Sequence, residues 1–122
     1  MKRILIVDDE KEITDFLGLI VKDLGNDIEV TVENSWSDAI SIIEEAKQPF
    51  DLVITDFCMP RRRQGLPVIA AARRNAVSTK VILMSSDATA QDKVDANPDR
   101  FIAKPFDLRA FIATINELLP PA

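Results

Sequence analysis

Five polar side chains stand directly after short apolar runs: Asp8 and Asp9 in ILIVDDE, Asp56 in DLVITDFCMP, Ser85 in VILMSSDA and Lys104 in FIAKPF. Three carboxylates gathered in a partly dry cleft repel one another and could not all stay ionised without a cation. A hard divalent ion such as Mg²⁺ resolves that conflict, because it takes oxygen ligands, keeps several waters and needs only one or two carboxylates with a backbone carbonyl. With its charge offset, a carboxylate such as Asp56 can attack phosphorus and form an aspartyl phosphate. The phosphoryl oxygens would then need donors, which a lysine ammonium and a small hydroxyl supply.

Taken singly, each residue has a plainer explanation. Asp8 and Asp9 would favour the positive start of a following helix. Ser85 alone reads as a strand-end hydroxyl, Lys104 as a solvated lysine and Cys58 as a small buried filler. Asp56 alone reads as a cap or a loop carboxylate. Only their joint placement points to chemistry, and the elements that carry them decide it.

Those elements alternate. Arg3 to Val7, Ile28 to Val32, Leu52 to Thr55, Lys80 to Met84 and Arg100 to Ala103 read as strands. Leu52, Val53 and Ile54 form an unbroken apolar run, as in a parallel strand buried on both faces. Between the strands lie stripes of helical period. The first is Ile13, Phe16, Leu17, Ile20, Val21 and Leu24. The second is Trp36, Ala39, Ile40, Ile43 and Ala46, behind Ser35 and Asp38 at capping-box spacing. Pro67 suits the first turn of a third helix. Asp107 can cap a last one carrying Leu108, Phe111, Ile112, Ile115 and Leu118. Five strands alternating with helices predict an α/β fold, a doubly wound, mostly parallel sheet with helices on both faces. In such folds ligands sit at the carboxyl ends of the strands, near a switch in strand order. Asp8, Asp9, Asp56, Ser85 and Lys104 all fall at those ends.

Composition narrows the function. A chain of 122 residues, 47% apolar and 29% charged, fits one domain with a core of its own. A net charge of -5 argues against direct binding to a phosphate backbone. The chain has no histidine, which excludes Ser-His and Cys-His nucleophile pairs. Cys58 is the sole cysteine, so an internal disulfide and a Cys/His zinc cluster are excluded by count. No secretory or membrane-spanning run is legible, and a reducing cytoplasm is the expected setting.

In this order and spacing the four quoted motifs closely resemble the receiver domain of two-component response regulators, over essentially the whole chain. The resemblance implies a five-stranded flavodoxin-like sheet in the order 2-1-3-4-5 across residues 1–119, with 120–122 a tail or the start of a linker. It implies a phosphorelay receiver that takes a phosphoryl group, with Mg²⁺, from a phosphohistidine on a partner histidine kinase or histidine phosphotransfer protein. Such a receiver is not a turnover enzyme and catalyses only its own phosphorylation and dephosphorylation. Carried over residue by residue, Asp56 is the phosphoacceptor, Asp9 binds Mg²⁺ directly, Asp8 binds it mainly through water, and Cys58 offers its backbone carbonyl. Ser85 and Lys104 hold the phosphoryl oxygens, and the Lys104–Pro105 bond is expected to be cis. Phe101 occupies the place of the switch aromatic, and Asp87 flanks the path of the hydrolytic water. An attached output domain or a homodimer would carry the signal onward, with no nucleic-acid or membrane contact by this domain.

The chain also departs from the family. Arg61, Arg62, Arg63 and Gln64 place an extra residue before Gly65. The interval between Ser85 and Lys104 is short, and Asn97-Pro98 replaces the usual Gly-Ala. Phe101 lacks a tyrosine's hydroxyl, so an inward position is expected. Val94 is the only large apolar residue of DATAQDKVDANPDR, which predicts a brief, loosely packed helix there. Two rival readings are weaker. An aspartate-nucleophile phosphohydrolase would want a second acid two residues after its nucleophile, and Asp56 is followed by Phe57 and Cys58. A flavodoxin-like ligand-binding module would need a glycine-rich turn after the first strand, where DDEKE repels anions.

Overall fold

The computed structural model describes residues 1–58, 65–86 and 98–120. Its elements run β1 (Lys2–Val7), α1 (Lys11–Lys22), β2 (Ile28–Glu33), α2 (Trp36–Glu45), β3 (Leu52–Asp56), α3 (Gly65–Asn75), β4 (Lys80–Ser85), β5 (Arg100–Ala103) and α4 (Leu108–Leu118). The strands form one sheet in the order β2-β1-β3-β4-β5, every neighbouring pair parallel. The helix expected within 87–97 and the loop 59–64 lie outside the described residues. Among the described residues no helix is long and apolar enough to cross a membrane.

Because side chains alternate across a strand, residue parity divides the core in two. Leu5, Val7, Val53, Val81 and Leu83 point to one face, where Ala39 and Ile43 of α2 and Val68, Ile69, Ala71 and Ala72 of α3 cover them. Ile4, Ile6, Leu52, Ile54, Ile82 and Met84 point to the other, against Leu17 and Val21 of α1 and Phe111 and Ile115 of α4. The two cap signals hold. The Ser35 hydroxyl accepts from the Asp38 amide at 3.4 Å, and the Asp107 carboxylate from the Arg109 amide at 3.0 Å.

The first apolar stripe needs a correction. Phe16 is 51% exposed, and the inward line of α1 is Thr14, Leu17 and Val21. A threonine can replace a phenylalanine in that line because its hydroxyl is satisfied. It donates to the Lys11 carbonyl at 3.0 Å and accepts from Asn34 Nδ2 at 2.9 Å. Leu108, placed in the last stripe, is also exposed at 37%. Asp56 closes β3 as a strand residue in register with Met84, one position beyond the expected end.

At the amino ends of the strands a polar clamp fixes the entry to β5. Asp99 Oδ2 accepts from the Val81 amide at 2.7 Å and from Arg73 Nη2 at 3.2 Å, while the Asp99 amide donates to the Val81 carbonyl at 2.9 Å. Arg73 Nη1 also reaches the Thr79 carbonyl at 2.9 Å, and the buried Thr79 hydroxyl donates to the Phe50 carbonyl at 2.6 Å. Truncating Asp99 leaves the Val81 amide without this acceptor and removes one partner of Arg73. Asp99→Ala should therefore lower unfolding stability by about 1–3 kcal/mol. Urea unfolding at unchanged m-value measures it, and a loss below about 0.5 kcal/mol, the usual scatter of surface substitutions, would contradict the clamp.

Candidate functional site

The carboxyl ends of β1, β3 and β5 bring Asp8, Asp9, Asp56 and Lys104 together. One oxygen from each of the three carboxylates lies within 4.8 Å of the others. Lys104 Nζ donates to Asp8 Oδ2 at 3.0 Å and to Asp56 Oδ2 at 3.2 Å. Asp8, Asp56 and Lys104 share the parity that faces α1 and α4, so the pleat of the sheet aims all three to one side.

Asp8 is fully buried and held at four atoms. Its amide donates to the Glu33 carbonyl at 3.2 Å and its carbonyl accepts from Asn34 Nδ2 at 2.8 Å. Its Oδ1 accepts from the Glu10 amide at 3.0 Å, and its Oδ2 takes the lysine. Asp9 stands exposed at the rim. What desolvation the rim imposes, and then the charge of Asp8, push its carboxyl above the usual value.

Asp56 is only 8% exposed. Burial pushes its carboxyl up to about 6; the charge of Lys104 opposes the rise and that of Asp8 adds to it. Burial alone would lower Lys104, but its bond to Asp8 and the charges of Asp56 and Asp8 outweigh this and raise it. The main chain around Asp56 is equally fixed. Thr55 Oγ1 donates to the Asp56 carbonyl at 3.1 Å and the Phe57 amide to the Met84 carbonyl at 2.8 Å. Gly65 at the start of α3 donates to the Phe57 carbonyl at 3.0 Å and packs so closely that a Cβ there would overlap the Asp56 carbonyl oxygen. Only glycine fits that approach.

The group opens into a cleft of about 700 Å³ whose polar wall is Asp9, Glu10, Asp56, Ser86 and Lys104 and whose apolar wall includes Ile13, Phe16 and Phe106. Cys58 lines the cleft, and the Lys104–Pro105 bond is cis. Ser85 is buried at 1% and shares its parity with Val81 and Leu83, so at this point of β4 it is Ser86 that borders the cleft. The Lys104 amide donates to the Ser85 carbonyl at 2.8 Å, tying the ends of β4 and β5 together. Phe101 is half-buried against the core under α2 and α3. Asp87 lies outside the described residues. Sequence reasoning missed Asn34, Thr14, Ser86 and Gly65. The one available signal for Asn34 was a polar amide immediately beyond a strand, at the same level as the acidic pair.

A buried carboxylate beside an ammonium and two further acids can hold a hard cation and present an oxygen nucleophile to an anion arriving through the cleft. Comparison with known proteins agrees. Residues 4–116 match the response regulator receiver domain. The chain is 29% identical over 117 residues to the transcriptional regulatory protein DltR of Streptococcus agalactiae, covering 93% of this chain and 50% of DltR. It is 30% identical over 122 residues to the response regulator ArlR of Staphylococcus epidermidis, covering 98% of this chain and 53% of ArlR. The chain thus spans about half the length of these curated relatives. Among solved structures, a CheY-like receiver domain protein from Methanospirillum hungatei superposes with a TM-score of 0.81 at 27% identity, over 96% of this chain and 92% of the other. The response regulator TrrA from Thermotoga maritima, in complex with Mg²⁺ and BeF, superposes with a TM-score of 0.81 at 26% identity, over 98% of this chain and 100% of the other. With the fold, the strand-end constellation and the match over residues 4–116 in agreement, the chain belongs to the response regulator receiver domains and is a phosphorelay receiver.

Proposed function

We propose that Asp56 is the phosphoacceptor, and that its phosphoryl group comes from a phosphohistidine on a partner kinase or phosphotransfer protein. The observation that carries this reading is the lysine bridging two of three converging carboxylates, at 3.0 and 3.2 Å, at the floor of an open cleft. An Asp56 oxygen attacks phosphorus, the phosphorus–nitrogen bond to the donor imidazole breaks, and the imidazole leaves with the bonding pair and takes up a proton. Lys104 then exchanges its bond to Asp56 for one to a phosphoryl oxygen, while Asp8 keeps its ammonium in place. Ser86 at the cleft wall and Ser85 behind it are the nearby hydroxyls; Ser85 would have to turn out of the core to reach the phosphoryl group. The donor must enter past Ile13, Phe16 and Phe106, so this apolar wall meets the partner.

The donor set fits a hard cation: three carboxylates with oxygens within 4.8 Å, one of them raised to about 6 by burial that nothing but Lys104 opposes among its charged neighbours. Mg²⁺ would be held by Asp9, Asp56 and the Cys58 carbonyl, with Asp8 bonded through water, and would supply positive charge against both the carboxylates and the phosphoryl oxygens. The chain's own acids and lysine do the rest. Asp9, exposed at the rim, has room to adjust to the ion, whereas Asp8 is buried and fixed at four atoms. In this reading the receiver turns over nothing but its own phosphoryl group, and the output lies with the partner or with further chain.

Incubation with a small acyl phosphate and Mg²⁺ should add one phosphoryl group per chain, read by intact mass. Asp56→Asn should abolish the addition, and chelation of Mg²⁺ should do so too. Lys104→Ala should slow it by about a hundredfold, the usual cost of one lost oxyanion donor. Efficient labelling of the Asn variant would sink the assignment.

Stability supplies an independent reading. The unfolded chain titrates Asp56 near its ordinary value of 3.8, the folded metal-free chain at about 6. Between those values the folded state holds the proton more tightly, so stability falls as pH rises through that window and stays reduced above it. In chelator at pH near 7.5, Asp56→Asn should be more stable than the parent by about 1–3 kcal/mol, and the gain should vanish at pH near 3.5. Added Mg²⁺ should stabilise the parent more than the variant. Urea unfolding tests this, and a variant less stable than the parent at pH 7.5 would refute the burial argument.

A further inference from the structure

Asn34 is exposed, lies outside the cleft, and yet its amide nitrogen serves two buried groups. Nδ2 lies 2.8 Å from the Asp8 carbonyl oxygen and 2.9 Å from Thr14 Oγ1. A carbonyl oxygen only accepts, so the atom facing it must be the NH₂ end of the amide, which settles its orientation. The Thr14 hydroxyl passes the chain on by donating to the Lys11 carbonyl at 3.0 Å. The last ladder bond between β1 and β2 is the Asp8 amide to the Glu33 carbonyl, and the Asn34 side chain supplies the next one where the strands have ended. The turn Asp8–Asp9–Glu10 is thereby tied to β2 on one side and to the first turn of α1 on the other.

We infer that Asn34 is a positioning residue for the cation site: its amide holds the Asp8 main chain, and with it the turn that carries Asp9, in the geometry the metal needs. This rests on the reading that Mg²⁺ binds at Asp8, Asp9 and Asp56. Asn34 touches neither metal nor phosphoryl group. Hydrogen bonds that orient ligands tune metal affinity even though they make no contact with the ion. Because Asn34 is exposed, water can satisfy the Asp8 carbonyl once the amide is gone, so the loss falls on order at the turn more than on stability.

The test is Mg²⁺ binding to the whole folded chain by titration calorimetry, with Mg²⁺-dependence of acyl-phosphate labelling as the second reading. Asn34→Ala should weaken Mg²⁺ binding about three- to tenfold, the equivalent of one ordinary hydrogen bond. Asn34→Leu, which restores most of the volume without the donor, should show the same loss. Half-maximal labelling should shift to higher Mg²⁺ by the same factor, and the rate at saturating Mg²⁺ should return to near that of the parent. A role confined to folding would give the reverse pattern, with lowered urea stability and unchanged Mg²⁺ affinity. Affinity within twofold of the parent in either variant, or a labelling defect that saturating Mg²⁺ does not repair, would overturn the inference. A parent chain that binds no Mg²⁺ would instead overturn the underlying metal reading.

Discussion

Repulsion among Asp8, Asp9 and Asp56 is the constraint around which this chain is built. At an effective dielectric of about 20, two like charges about 4 Å apart repel by about 4 kcal/mol, and here three carboxylates have oxygens within 4.8 Å of one another. Lys104 answers part of this by donating to two of them. One ammonium cannot balance three carboxylates, and Asp56, desolvated by burial and with the charge of Asp8 adding to it, keeps a carboxyl raised to about 6 despite the lysine beside it. Conflicts of this kind cluster at functional sites, and here the missing positive charge is what a bound cation would supply.

The three acids divide the work through how firmly each is held. Asp8 is bonded at its amide, carbonyl and both carboxylate oxygens, so it acts as a fixed wall. Asp56 sits inside the sheet, in register with Met84, with α3 pressed so closely on its main chain that Gly65 cannot carry a side chain. Asp9 alone is exposed at the rim. Two acids held firmly and one at the rim would suit a metal that demands regular geometry but arrives with its own waters, in the reading proposed above.

The sheet was legible in the sequence because its signals are local and periodic. Five short β-rich runs and their intervening helical stripes are repeated many times over, and a strand-end error of one residue, as at Asp56, changes little. The site was legible because the acids and lysine fall at the ends of those runs. Phe16 misled because period alone cannot tell which of two adjacent apolar positions turns inward; Thr14 takes the place because Asn34, just beyond the end of β2, satisfies its hydroxyl. Asn34 and Asp99 were invisible for a related reason. Each acts through one side chain on main-chain atoms 26 or 18 residues away, and no periodicity records such a bond. Ser85 against Ser86 is a finer case. Counting parity from Leu83 along β4 would have turned Ser85 towards α2 and α3, but only once the register was known.

The two ends of the sheet carry opposite loads. At the carboxyl ends, uncompensated charge, a desolvated carboxylate and an open cleft all detract from stability. At the amino ends, Asp99, Arg73 and Thr79 close the strand entries with a network of bonds to one another and to the main chain. The same strands run through both, and their middles are among the most deeply buried parts of the chain. Rigid central strands let each end be set separately: the strained end can respond to charge at Asp56 without loosening the fold, because the ladder beneath it is anchored from below. The position of the clamp therefore matters as much as its strength. The same bonds placed among the acids would have consumed the donors and acceptors that the proposed metal and phosphoryl group would need.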